Sequence, residues 1–308
     1  MTEQAEYLTD LWYMAGLSSS LKPGALRREM LCGEPVLLGR TQDGHAFALR
    51  DICPHRAAPL SAGRLRDNTV ECPYHGWRFR TDGVCAAIPS LLQDQEMDIG
   101  RIRVQAYPCR EQDGLIWVYF DADPKADAPP KLDPPPMPFG ARDGKATPRF
   151  VEAQMFPCDV DHAVVGLMDP AHGPFVHQAW WWRSEKSIHA KAKHHAPSER
   201  GFTMVAHKPS SNSFAYKLLG GEVSTEIRFE LPSLRFELIR AGKREVLGFT
   251  SVTPKDANQT LRTVSMTTTK TTTSSAITVA NVTASVFIRS RGGRRPAVIS
   301  NPRPATTG

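Results

Sequence analysis

No acidic residue follows Asp256, and the chain runs on to Gly308 without one. Nor is any run of apolar residues long enough for the roughly 20-residue helix that crosses a bilayer, which excludes that class of membrane protein. Cysteine is sparse, six in 308 residues, so the fold is not a disulfide framework. No GxGxxG follows a strand-like run, and a nicotinamide site within this chain is therefore not expected. The opening "MTEQAEYLTD" lacks the basic-then-apolar layout of a secretory leader, and a cytoplasmic location is expected. A net charge of +6 would suit a nucleic-acid partner, but its distribution does not. Arg262, Lys270, Arg289, Arg291, Arg294, Arg295 and Arg303 lie beyond the last acid, and the chain up to Asp256 carries 31 basic against 32 acidic residues.

With 41% apolar and 23% charged residues, the chain has the composition of a globular protein and the length for two domains. Between about 10 and 120, "EPVLLGR", "HAFALRDI", "NTVECPY" and "GLIWVYF" read as short strands. The dipeptides Asp43-Gly44, Asp82-Gly83 and Asp113-Gly114 supply the turns. This predicts an all-β domain over 1–125, core about 10–120, followed by a Pro-rich linker over 126–147. A second, α+β domain is expected over 148–256, with one helical stretch near 160–180 and strands such as "STEIRFEL" and "LRFELIRA". From 257 to 308 the chain is rich in Ser and Thr, then basic with Gly and Pro, and no apolar periodicity is visible. Two readings stand for it: a disordered tail, or a shifted reading frame that hides the real end of the second domain.

The cysteines that carry chemistry are Cys53 and Cys72, in Cys53-x-His55 and Cys72-x-x-His75. Tetrahedral zinc accepts two thiolates and two imidazoles, but zinc fingers pair Cys with Cys and His with His along the chain. Here each loop contributes one of each. That suits a [2Fe–2S] cluster in which two thiolates hold one iron and two imidazoles the other. Neutral imidazoles in place of two anionic thiolates raise the reduction potential. "CPHRAAPLSAGRL" and "CPYHGWRF" resemble the cluster loops of Rieske domains of the ring-hydroxylating oxygenase type, and "YPCREQDGLIWVYF" resembles that domain's closing strands.

The second domain offers Asp169-x-x-His172-x-x-x-x-His177. A mononuclear non-haem iron needs two imidazoles and a carboxylate on one side, with the other side open. On a straight helix His172 and His177 would diverge by roughly 140°, but Gly173-Pro174 between them breaks the helix and can turn the second imidazole back. Asp169, three residues before His172, is placed to orient that imidazole by a hydrogen bond. "LMDPAHGPFVH" is similar to the iron motif of Rieske non-haem iron oxygenase catalytic (alpha) subunits, in particular the pheophorbide a oxygenase and demethylase-type branch, and the similarity covers about 5–256.

That resemblance implies a helix-grip catalytic domain, a mononuclear Fe(II) on His172 and His177, and Asp169 as the electron bridge from a neighbouring subunit's cluster. It also implies O2, a small aromatic or alicyclic substrate, mono-oxygenation or oxidative demethylation, a homotrimer, and electrons from a separate NAD(P)H reductase, directly or through a ferredoxin. The family's third iron ligand, a carboxylate from a distant C-terminal helix, has no counterpart after Asp256. Glu222, Glu226, Glu230 and Asp256 precede that point, none in a matching context, and no third ligand is assigned. An electron-transfer or inactive Rieske protein without a working mononuclear iron is therefore the alternative. His162, His194, His195 and the run Trp180–Trp182 read as surface or packing residues.

Overall fold

The computed structural model describes residues 7–92, 94–124, 128–136, 150–169, 171–172, 175, 192–208, 222–242 and 244–268. Two compact units divide the chain, one of Met1–Ala146 with Thr253–Thr260, the other of Thr147–Val252 with Leu261–Gly308.

The first unit is built from eleven short strands in three antiparallel sheets. β1 (Leu11–Leu17), β10 (Cys109–Gln112) and β11 (Leu115–Phe120) form one sheet in the order β1-β11-β10. β2 (Leu26–Leu31), β3 (Glu34–Arg40), β4 (Ala46–Arg50) and β9 (Ala106–Tyr107) form the second, in that order. The third is β5 (Arg64–Arg66), β6 (Thr69–Glu71), β7 (Arg78–Phe79) and β8 (Cys85–Ala87). The β10–β11 turn is Asp113-Gly114, with φ of 55° and 76°; two successive positive values give the turn whose twist matches antiparallel strands. Leu37, Phe47, Leu49, Leu60, Val70, Phe79 and Val104 pack into one apolar core, and Cys53 and Cys72 are part of it. A second core joins Ala15, Leu31, Val36, Leu38, Ile116 and Val118.

Part of the expected linker is tied down. Leu132 O accepts from Trp12 Nε1 at 2.7 Å, and Gln112 Nε2 donates to Pro134 O and Pro135 O at 3.2 and 3.1 Å. Prolines have no amide N–H but keep a strong acceptor, and here two of those carbonyls are used.

The second unit is a seven-stranded antiparallel sheet with one described helix. β12 (Phe150–Phe156), α1 (Val160–Met168), β13 (His195–Ser198), β14 (Gly201–His207), β15 (Val223–Glu230), β16 (Leu234–Ala241), β17 (Arg244–Asp256) and β18 (Gln259–Thr268) follow in sequence. Across the sheet the order is β12-β18-β17-β16-β15-β14-β13. On β16, Leu234, Phe236 and Leu238 share one face with Phe249 and Leu247 of β17, while Arg235 and Glu237 point to the other and pair with each other at 3.0 Å.

Two expectations are corrected here. The tail predicted from 257 begins too early, because 259–268 is a strand of the sheet. Its buried residues include Thr260, Arg262, Thr263, Val264 and Ser265, so a polar composition conceals a strand packed on both faces. The first described helix also ends at Met168, and Phe175 is helical again, so the stretch expected near 160–180 is interrupted at Asp169 and at 171–172. Residues 269–308 lie outside the described residues, so neither reading of them is tested.

Candidate cluster and iron sites

The two cluster loops are built alike. Cys53 N donates to Ala58 O at 2.9 Å and Ala57 N to Cys53 O at 2.9 Å. In the second loop, Cys72 N donates to Trp77 O at 2.8 Å and Gly76 N to Cys72 O at 3.1 Å. Each loop thus closes on its cysteine with the same offsets, and the residue four places on is left-handed in both: Ala57 at φ 54° and Gly76 at φ 70°. Gly63 lets the loops approach closely, since a Cβ there would lie 2.0 Å from Glu71 O.

This frame divides the ligands by type. Cys53 and Cys72 are buried at 2% and 3% exposure, whereas His55 and His75 are exposed, with ring centroids 4.6 Å apart. The Trp77 indole lies flat against the His55 ring, 4.5 Å between centroids and 3° between planes. Among the described residues no three His, Cys, Asp or Glu side chains gather around one point. Burial, with the Cys72 sulfur alongside, pushes the Cys53 thiol up to about 11, so binding iron must displace its proton. Burial, then the neighbouring His75 and Arg56, lowers the pKa of His55 and favours the neutral imidazole that a metal needs.

Around the second motif, Asp159 caps α1 by accepting from His162 N at 2.9 Å, and its other oxygen lies 2.6 Å from His162 Nδ1. His162 is exposed and belongs to this cap. Asp169 stands just past the helix. One oxygen accepts from Ala171 N at 2.7 Å and the other lies 3.4 Å from His172 Nδ1. The two side chains expected to meet do meet, but through a side-chain turn beyond the helix and not along a helical face. His177 and Trp180–Trp182 lie outside the described residues. The other carboxylates are engaged elsewhere: Glu222 with Lys208 (3.9 Å), Glu226 with Arg240 (3.9 Å), Glu230 with Arg228 (2.8 Å), and Asp256 with the amide of Asn258 (2.8 Å). His195 lies on β13 with its ring against Phe202.

Two residues of the cluster region stand outside the ligand motif. Trp77 supports His55, and its only signal in the sequence is an aromatic two places after a ligand. Asp51 is a fully buried acid two places before Cys53, visible in the sequence only as the Asp of "RDICPHR".

Residues 11–108, which include both loops, match the family model of the Rieske [2Fe–2S] domain, and a Rieske domain implies a [2Fe–2S] cluster. Chlorophyllide a oxygenase of Chlamydomonas reinhardtii is 35% identical over 184 residues, 59% of this chain and 26% of that protein. The oxygenase component of dicamba O-demethylase from Stenotrophomonas maltophilia is 34% identical over 173 residues, 56% of this chain and 48% of that one. The crystal structure of dicamba monooxygenase bound to dicamba superposes with a TM-score of 0.71 at 25% identity, covering 85% of this chain and 78% of that one. The chain spans under half the length of these two sequence relatives. No helix among the described residues is long and apolar enough to cross a membrane.

Proposed function

We propose that this chain is the catalytic subunit of a Rieske non-haem iron oxygenase. Cys53, Cys72, His55 and His75 hold the [2Fe–2S] cluster, and His172 with His177 holds a mononuclear iron. The cluster supplies one-electron transfer, and the iron supplies an open site for O2 chemistry. The exposed His55 and His75 and the buried Cys53 and Cys72 would hold the cluster between them, and it would supply one-electron transfer when bound. Asp169 fixes the orientation of His172 and forms the bridge along which an electron reaches that imidazole. The observation that carries this reading is the 3.4 Å contact of Asp169 with His172, in a chain that also holds the Rieske cluster frame. The substrate is a small aromatic or alicyclic compound that is hydroxylated or oxidatively demethylated. The partners are a separate NAD(P)H reductase, with or without a ferredoxin, and two further copies in a trimer. The setting is cytoplasmic, without nucleic acid or membrane.

A second reading, a Rieske electron-transfer protein without mononuclear iron, is favoured by the engagement of Glu222, Glu226, Glu230 and Asp256 away from His172. The iron-to-labile-sulfide ratio of anaerobically reconstituted protein separates the two. A ratio of about three to two supports the oxygenase. About two to two, unchanged by His172→Ala, supports the relay.

A further inference from the structure

Asp51 carries a fully buried carboxylate, with side-chain exposure of 0%. Ser61 grips it twice: the amide donates to Oδ1 at 2.6 Å and the hydroxyl to Oδ2 at 2.6 Å. Asp51 N also donates to Pro35 O at 2.7 Å, which fixes the acid to β3. The nine residues between Asp51 and Ser61 are the first cluster loop, with Cys53 and His55 on it. Leu60, beside Ser61, is fully buried in the core that contains Cys53. The carboxylate therefore shuts the base of the loop.

It also brings a charge. The counter-charge is weak. Arg28 lies 3.7 Å away with its side chain 52% exposed, while Glu71, beside Cys72, is held by Arg64 and Arg66 at 2.6 and 3.3 Å. Only Ile52 separates Asp51 from Cys53, at most about 7 Å between their Cα atoms. At that range, behind low-dielectric core, an anion acts on the cluster with little screening. One-electron reduction adds a negative charge to the cluster, and a neighbouring anion opposes it.

We propose that Asp51 is a positioning residue for the cluster, closing its first loop and lowering its reduction potential through its own charge. The test is the midpoint potential of the reconstituted holoprotein, with visible circular dichroism to verify an intact cluster. Asp51→Asn keeps the shape and removes the charge, and is expected to favour reduction about tenfold, a rise of about 59 mV for one electron. Ser61→Ala keeps the charge and removes one grip, and should move the equilibrium less than about twofold. An unchanged potential in Asp51→Asn, or equal shifts in both variants, overturns the proposal. Should Asp51→Asn assemble no cluster, Arg28→Gln decides. Removing that exposed cation should disfavour reduction about threefold by unmasking the anion, and no change or a rise in potential overturns the proposal.

Discussion

Gly63→Ala is the sharpest perturbation the cluster frame allows. The glycine has φ of −86°, which any residue adopts, so backbone strain is not at issue. The obstacle is space. A Cβ at 63 would sit 2.0 Å from Glu71 O and 3.1 Å from Leu60 O, both backbone atoms that cannot rotate away. Restoring ordinary contact to Glu71 O requires the β5 and β6 backbones to part by more than about 1 Å. Glu71 adjoins Cys72, and the Gly63 side of the gap continues into the loop that bears Cys53 and His55. The strain of such overpacking is about 1–3 kcal/mol, and it falls on the distance between the two halves of the ligand set. Thermal unfolding and labile-sulfide content of the reconstituted protein are the assays. We expect a fall in Tm of several degrees and loss of at least half of the sulfide. Gly166→Ala is the control, because it is helical with nothing within 4 Å of its added Cβ, and it should stabilise slightly. A Gly63→Ala protein with full sulfide and unchanged Tm would refute the reasoning.

Trp77→Ala removes the flat support of His55, and we expect a destabilisation of about 2 kcal/mol with a broadened EPR line from a less fixed imidazole. Arg40, which also donates to Leu21 O and Gly44 O, holds the Glu111 carboxyl below the usual carboxylate range. That stability is fully present above the unfolded pKa of about 4.3 and is lost as pH falls through the lower folded value, so Glu111→Gln should flatten the acid limb of a Tm-against-pH curve. Asp169→Asn should leave the iron-to-sulfide ratio unchanged and slow substrate-dependent reoxidation of the reduced cluster by about 10- to 100-fold in stopped-flow. An unaltered rate would remove Asp169 from the electron route.

The first domain was legible because its signals are local. "EPVLLGR" coincides with β3, as "LRFELIRA" in the second domain does with β16, since turn residues bound each run and fix where pairing stops. The cluster motif is likewise contained in two short loops. What escaped depends on packing. β18 reads as low-complexity because the sheet buries Thr260, Thr263 and Ser265, and composition cannot tell a buried hydroxyl from a solvated one. Asp169 lies 3.4 Å from His172 through a turn beyond the helix and not along the helical face that the spacing suggested, because the helix stops one residue before it. In the sequence Asp51 is only the acid near the end of the strand-like run "HAFALRDI". Its importance rests on Ser61, ten residues away, and on the core that closes over both.

The central claim is that each loop gives one thiolate and one imidazole to a single two-iron cluster. Its most direct test is pulsed EPR of the reduced protein grown with 15N-labelled histidine. Two strongly coupled nitrogens are predicted, assigned to His55 and His75, with the signal disrupted in His55→Ala and in His75→Ala. A reduced cluster with no coupled histidine nitrogen, or with both couplings intact in either variant, would contradict it.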